Sequence, residues 1–330
     1  MKKANVEILI STFNGEKYLK EQLNSCLAQE GNFNIKITVR DDGSTDETCH
    51  ILKQYEEEFH INVIYGQNIG LNASMMELIK LSEEHFDYFA FCDQDDVWEN
   101  FKIEEAVKCL CEIDKADKVA AHSSGDSQSP LEICFLANKK TPLLWSCMEE
   151  LTDENLNSYS LMPYPKYLGN FYNAVIQNKT AGHTQVFNKT LRDMYMHYPP
   201  DKMYVYDWVL YMLACALGEV YFCDKPCGKY RQHGKNTIGY ELGPIAQIPR
   251  RLKRLLNGDF RHITTQMAYF YETYGNKIKE EHKSEMERFL NSRKNIFTRV
   301  YYALTTKIKR NTSFESLQFR VLYILGVFNC

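Results

Sequence analysis

The chain of 330 residues has no C-x-x-C pair and no apolar run approaching the roughly 20 residues of a membrane span. The first absence excludes a thioredoxin-like redox pair and a four-cysteine zinc ribbon. The nearest approaches, Cys109 with Cys111 and Cys223 with Cys227, have neither spacing. Eleven cysteines, an odd number, with no secretory segment beside them, fit reduced thiols in a cytoplasmic protein. The opening MKKANVEILIST meets Asn14, Glu16 and Lys17 before an h-region of about 7–15 apolar residues can form. Sixteen Gly and nine Pro are too few for a low-complexity linker. With 44% hydrophobic and 25% charged residues, the composition is that of a globular chain, long enough for two domains or for one large domain with a helical appendage.

An overall basic excess is also missing, since the net charge is -4. The charge is split, however. Arg250–Cys330 holds 16 basic and 7 acidic residues, a local +9, which leaves -13 for the remainder. An acidic body and a basic tail are two functional regions, and a basic tail seeks phosphates, nucleic acid or anionic lipid.

Apolar runs followed by polar clusters and then helical periodicity repeat along the first third. Val6–Thr12 reads as a strand and Tyr18–Gln29 as a helix, with Leu19, Leu23, Cys26 and Leu27 on one face. Ile35–Val39 precedes Thr48–Phe59, Asn62–Tyr65 precedes Asn72–His85, and Tyr88–Cys92 enters Asp93-Gln94-Asp95-Asp96. Strand–loop–helix units in this succession predict an α/β fold, a mostly parallel open sheet with helices on both faces. Ligands of such sheets bind beyond the carboxyl ends of the strands, where every polar cluster falls. Ser123–Pro130 reads as a polar loop, and Leu143–Tyr172 has no clear period. Thr180–Leu191 regains pattern, Tyr204–Leu217 reads as a helix, Glu219–Cys223 as a strand, and helix-like basic stretches follow Ile245.

Asp93, Asp95 and Asp96 crowd three carboxylates at one strand end, where repulsion is costly without a cation. Mg²⁺ or Mn²⁺, which combine one or two carboxylates with substrate phosphates, would satisfy them. Asp41 and Asp42 stand before Gly43, where carboxylates can bind base N–H or ribose hydroxyls; Ser44, Thr45 and Asp46 are explained by capping the next helix. Asn68 and Gly70 suit a turn as well as a ligand contact. His233 is a candidate for the metal or for phosphates, Arg231 for phosphate oxygens and His183 for an acceptor contact. Trp98, Trp208 and Tyr206 suit sugar stacking or aromatic core.

Taken in order, STFNGEKYLKEQLNSCLAQ, RDDGSTDET, QNIGLNAS and FCDQDDVWENFKIE resemble the family 2 glycosyltransferases of GT-A fold. The resemblance implies a nucleoside-diphosphate sugar across the sheet edge. Thr12 and Asn14 would lie near the nucleotide, Asp42 at the base, and Asp93 and Asp95 would form the D-x-D element with Asp96 near the transferred sugar or acceptor. Thr180–Asn188, Tyr206–Leu210 and Tyr230–Asn236 resemble the bacterial rhamnosyltransferase-like branch more faintly. That branch implies Asp207 as general base, although Tyr206 stands where a Glu is more widespread. By itself Asp207 also reads as a charge favourable to a helix N-terminus.

These readings together predict an inverting, metal-dependent transferase of a hexose or deoxyhexose. Rhamnose from dTDP-rhamnose leads, passed to a hydroxyl of a lipid-linked surface or capsular polysaccharide precursor. Residues 1–240 would form the GT-A-like domain, 1–120 for the nucleotide-sugar and 121–240 for the acceptor, with 241–330 a basic helical region. That region mixes Arg and Lys with Leu, Ile, Phe and Tyr, which suits an anionic membrane face and equally a seam between copies. Nucleic acid is not expected, since no reader motif accompanies the charge. Two alternatives remain: a haloacid-dehalogenase-like phosphatase using Asp93 as nucleophile and Asp95 as acid/base, and a nucleotide-sugar binding protein without turnover.

Overall fold

The computed structural model describes residues 3–123, 141–234 and 259–329. Strands β1 (Ala4–Thr12), β2 (Phe33–Asp41), β3 (Asn62–Tyr65) and β4 (Tyr88–Cys92) alternate with helices α1 (Leu19–Leu27), α2 (Thr48–Phe59) and α3 (Leu71–Leu81). All three pairings among these strands, β3 with β2, β2 with β1 and β1 with β4, are parallel. Their pleat explains the apolar runs. Val6, Ile8 and Ile10 on β1 and Tyr88, Ala90 and Cys92 on β4 enter one core with α1 and α2. Leu9, Phe89 and Phe91 face the opposite core with α3. A sheet buried on both faces has no polar side to alternate with. Each large side chain so buried contributes about 1.5–3 kcal/mol.

After α4 (Lys102–Ser123) the sheet continues with β6 (Leu143–Thr152), β8 (Val186–Asn188) and β9 (Glu219–Arg231); the two-residue β5 (Val97–Trp98) closes its far edge and β7 (Ser158–Leu161) pairs beside β6. The order is β3-β2-β1-β4-β8-β6-β9-β5. Here the expected parallel character changes: β4 with β8, β8 with β6, β6 with β7 and β5 with β9 are antiparallel, and only β6 with β9 is parallel. The whole sheet is therefore mixed, with every pairing parallel in its first half and a single parallel pair, β6 with β9, among the described strands of its second. Short α5 (Phe171–Ala174) and α6 (Lys189–Tyr195) precede α7 (Tyr206–Leu217).

Several expected boundaries move. The expected helix to His85 stops at Leu81, because Ser82 turns extended. The expected strand to Cys223 runs on to Arg231, with register shifts opposite Met148 that pass Pro226 through the ladder. The aperiodic stretch from Leu143 is strand β6, whose first five residues are all buried. Most of the expected 123–130 loop, and residues 245–258 of the tail, lie outside the described residues. The described tail has α8 (Asp259–Tyr274), α9 (Glu280–Asn291), α10 (Ile296–Thr305) and α11 (Ser313–Ile324). One apolar cluster extends from Leu9 through α7 to Phe270, Phe289 and Phe328, so these helices share a core with the sheet. No helix among the described residues is long and apolar enough to cross a membrane. The described cysteines are free thiols.

Candidate active site

The parallel register brings Thr12 beside Asp41 and Ile10 beside Cys92, so the loops after β1, β2, β3 and β4 open on one edge. They are clasped together. Gln94 Oε1 accepts from the Thr12 hydroxyl at 2.6 Å and from the Phe13 N–H at 2.9 Å. Asn14, at φ 49°, accepts the Thr45 N–H on its side chain at 2.8 Å. Asp41 accepts both the N–H and the hydroxyl of Ser44, closing the turn after β2. Asp42 accepts the N–H groups of Ile69 and Gly70, each at 2.9 Å, and pairs with buried Arg40 at 2.5 Å. Gly70 sits at φ 82°, a conformation that costs glycine little, and starts α3.

A cleft of about 1310 Å³ runs along this edge. Among the residues expected at the site, Asn14, Asp42, Asn68, Gly70, Asp93, Asp95, His183, Asp207, Trp208 and His233 all line it. Thr12, Asp41, Asp96, Trp98 and Arg231 are buried and stand outside its lining.

His183 lies in a one-turn 3-10 helix, Gly182–Thr184, that passes under β4. Its Nδ1 is 2.9 Å from Asp93 Oδ2, its Nε2 is 2.6 Å from Glu149 Oε2, and its ring stacks on Tyr230 at 4.8 Å. Burial opposes a charge on this imidazole, but Glu149, Asp96 and the hydrogen bonds to Asp93 and Glu149 override it and hold its pKa well above the usual value. Asp93 is half-exposed at the cleft, and the hydrogen bond and field of His183 outweigh its desolvation and hold its carboxyl below the ordinary range. The other Asp93 oxygen accepts from the Tyr206 hydroxyl at 3.3 Å. Lys102 Nζ, fully buried, donates to the His183 carbonyl at 2.6 Å and lies 4.0 Å over the Trp98 ring.

Asp207 begins α7 beside this cluster. Its Oδ2 accepts the Gly182 N–H at 2.9 Å, while Oδ1 is buried with no hydrogen-bond partner among the described residues. Burial, followed by the nearby Asp93 charge, pushes its carboxyl up to about 7. Gly182 makes this approach possible, because a Cβ there would stand 2.0 Å from Tyr206 Oη. Asp95 meets His233 Nε2 at 2.8 Å, and burial with the Asp93 charge raises its carboxyl.

Three of the expected residues make structural contacts instead. Arg231, expected at donor phosphates, directs its guanidinium to the carbonyls of Asp95 at 2.8 Å and Glu154 at 2.7 Å and to Glu21, with Tyr18 beneath it at 4.4 Å. Asp96, expected near the acceptor, accepts the Arg231 N–H at 2.9 Å and lies under the wall, where burial raises its carboxyl strongly. Trp98 is likewise core rather than a sugar platform, and the Trp208 indole donates to the Ala174 carbonyl while its ring lines the cleft. Glu149, Gln94 and Lys102 were not singled out from sequence. Gln94 alone had a signal, its place between two aspartates.

The ligand atoms of Asp93, Asp96 and His183 lie within 4.8 Å of one another, a set that overlaps the expected Asp93, Asp95 and His233 only at Asp93. The oxygen-rich edge, where burial and then the Asp93 charge raise the Asp95 carboxyl, has the donor chemistry of a hard divalent cation.

Comparisons with known proteins agree with this geometry. Residues 7–155 match the model of glycosyl transferase family 2. The chain is 28% identical over 275 residues to the dTDP-rhamnosyl transferase RfbG of Shigella flexneri, covering 78% of this chain and 83% of that protein. It is 24% identical over 286 residues to an uncharacterized glycosyltransferase of Rickettsia typhi, covering 82% and 80%. Among solved structures, S. aureus TarS 1-349 aligns with a TM-score of 0.55 at 15% identity over 98% of this chain and 81% of that one. The mannosyltransferase PcManGT of Pyrobaculum calidifontis, in complex with GDP-Man and Mn2+, aligns with a TM-score of 0.51 at 13% identity over 98% and 86%. Residues 7–155 thus match glycosyl transferase family 2, and the chain as a whole has a GT-A-like fold.

Proposed function

We propose that the protein is an inverting, metal-dependent transferase that moves a hexose or deoxyhexose from a nucleoside diphosphate to an acceptor hydroxyl. Rhamnose from dTDP-rhamnose is the favoured donor, supported by the similarity to RfbG over most of both chains. The observation that carries the reading is Asp207: a buried carboxylate on the cleft wall, one oxygen held by Gly182 and the other without a hydrogen-bond partner among the described residues, raised to about 7. A general base works best with a pKa near the operating pH, and an inverting transfer needs one base for the acceptor proton. Asp207 takes that proton at Oδ1, while the Gly182 N–H keeps the carboxylate oriented.

Asn14, Asn68, Gly70 and Asp42 receive the nucleoside in this reading, and Asp93, Asp95 and His233 hold Mn²⁺ or Mg²⁺. When bound, the cation neutralises the leaving diphosphate. His183 and Tyr206 fix the Asp93 carboxylate so that it need not reorganise during transfer. The phosphatase alternative needs Asp93 as a free nucleophile, whereas both of its oxygens are engaged. A binding protein without turnover has no use for a base tuned in this way.

The acceptor in this reading is a lipid-linked glycan of a surface or capsular polysaccharide, met at the inner face of the plasma membrane. Residues 1–240 act as the catalytic domain, nucleotide-sugar half first, and 241–330 as its support. Phe297, 84% exposed, Tyr301 and Leu304 form one face of α10, with Phe314, Leu317 and Val321 on α11. Exposed Lys294 precedes α10, and Arg293, Arg299 and Arg320 are nearby in sequence, a basic and apolar mixture that suits an anionic lipid surface. Phe297→Ser with Leu304→Ser should release the chain from anionic vesicles; a fall from dimer to monomer instead would make the face a seam between copies.

The reading is tested with Asp207→Asn. Nucleoside diphosphate should bind with Mn²⁺ as in the wild type, and transfer should drop by at least about 10²-fold. Retained transfer would remove Asp207 as the base.

A further inference from the structure

The cleft has a second pole of charge that this mechanism does not use. Lys179 follows α5 in the segment Ile176–Thr180, which runs along the wall toward Gly182 and Asp207. The segment is fixed at both ends. The Ala174 carbonyl accepts from the Trp208 indole at 2.5 Å, and Gln185 Nε2 donates to the carbonyl and the hydroxyl of Thr180 at 3.1 and 2.8 Å.

Arg310 reaches the same wall from the link between α10 and α11. That link is pinned to α5: Asn173 Nδ2 donates to the Lys309 carbonyl at 2.7 Å, and the Lys309 N–H donates to the Tyr172 carbonyl at 3.3 Å. The Arg310 N–H also donates to Ser316 Oγ at 3.0 Å.

Lys179 Nζ is buried and has no hydrogen-bond partner among the described residues. Burial, helped by the Arg310 charge and opposed by Glu315, lowers its pKa to about 8. The ammonium still keeps its proton at neutral pH. Glu315 offsets part of this charge but does not hydrogen-bond the ammonium, so a desolvated Lys179 Nζ still favours an anion that accepts from it. Neither Lys179 nor Arg310 is among the principal charges acting on Asp93, Asp95 or Asp207, so this pole is separate from the carboxylates at the strand ends. Phe260 and Ile263 of α8 line the cleft as well and give the wall an apolar stretch.

We propose that Lys179 and Arg310 form a subsite for a phosphoryl group carried by the acceptor, with Phe260 and Ile263 taking the apolar group esterified to it. The proposal rests on the transferase reading and deepens it. Two cations from separate elements match a dianion, and guanidinium suits phosphate oxygens. The same pair could instead reach the diphosphate of the donor, and the experiment separates these sources.

The full-length chain is saturated with a nucleoside diphosphate and Mn²⁺ and then titrated calorimetrically with n-octyl phosphate. Saturable binding is expected. Lys179→Met and Arg310→Gln should each weaken it by at least about tenfold, the loss of one hydrogen bond to a charged group, and Lys179→Arg should largely retain it. Affinity for the nucleoside diphosphate should stay unchanged in all three. Lys179→Met should melt no lower than wild type, because an apolar chain replaces a buried cation. Ester binding that persists in Lys179→Met and Arg310→Gln would overturn the subsite, as would its absence from the nucleotide-loaded wild type. Equal weakening of the nucleoside diphosphate would assign the pair to the donor. Failure of every nucleotide to bind with metal would overturn the transferase reading and the subsite together, whereas nucleotide binding without ester binding overturns the subsite alone.

Discussion

The Tyr206 hydroxyl donates to Asp93 Oδ1 at 3.3 Å, so the residue immediately before Asp207 is fastened to the end of β4. The phenol ring is held independently, packed edge-on against Phe91 at 5.1 Å. Tyr206→Phe should therefore fold normally and remove only the hydrogen bond. We expect kcat to fall by about 3- to 10-fold with little change in donor affinity, read by steady-state kinetics and nucleotide titration. A wild-type kcat in this variant would make the tyrosine a packing residue only.

The raised Asp207 carboxyl has opposite consequences for rate and for stability. The proton acceptor must be ionised, so kcat/KM should rise with pH along a limb near 7 and level off above it. The folded state, in contrast, favours the protonated acid, whose ordinary value is 3.8. Stability from this group is present below that value and is lost as pH rises through about 7. Asp207→Asn should accordingly be more stable than wild type at pH 8, by on the order of 2–4 kcal/mol, and gain much less at pH 4. Denaturant titrations at the two pH values decide it; a variant less stable than wild type at pH 8 would contradict the buried, unpaired carboxylate.

Glu149 should matter well beyond its place in β6. Its carboxylate is the largest favourable influence on the His183 charge, at 2.6 Å. A histidine whose folded pKa is raised contributes stability that is complete below its unfolded pKa and is lost as pH rises through the folded value. Glu149→Gln lowers that folded value. Stability near pH 6.5 should drop by on the order of 1.5–3 kcal/mol, and the decline on raising pH should be complete at a lower pH than in the wild type. Histidine titration by NMR, with a His183 pKa equal in wild type and variant, would refute the pairing.

Removal of divalent metal should abolish transfer, with Mn²⁺ or Mg²⁺ restoring it. His233 orients Asp95 through its 2.8 Å contact and packs tilted against Tyr18 at 4.9 Å. His233→Gln should raise the metal concentration for half-maximal activity by about 10- to 100-fold. An unchanged metal requirement would show that the imidazole serves only the local packing.

The strands that carry Asp42 and Asp93 were legible because each meets its polar loop abruptly, and Asp207 was legible through the resemblance around Tyr206-Asp207-Trp208. Glu149 and Lys102 were not. Glu149 sits in β6, where apolar residues point to both faces and the sequence has no alternation to mark its charged side chain as buried. Lys102 begins an amphipathic helix and looks like a surface charge until Trp98 and the His183 carbonyl enclose it. Arg231 and Asp96 misled for the same reason in reverse. Sequence marks them as charges beside a motif, while the fold uses them to bind β9 to the loop after β4. The antiparallel pairs of β8 were invisible because a three-residue strand is specified by its neighbours more than by its own residues.

The apolar cluster that joins β1 to Phe270, Phe289 and Phe328 makes the tail indispensable rather than appended. Truncation before α8 would expose apolar residues of α7 that share a core with Ile263, Met267 and Phe270. Continuity also removes a hinge: the helices with exposed aromatic residues and the wall with Asp207 have no seam along which to swing. Whatever surface α10 and α11 rest upon would therefore set the direction in which the cleft mouth faces, and binding there would aim the enzyme as well as retain it.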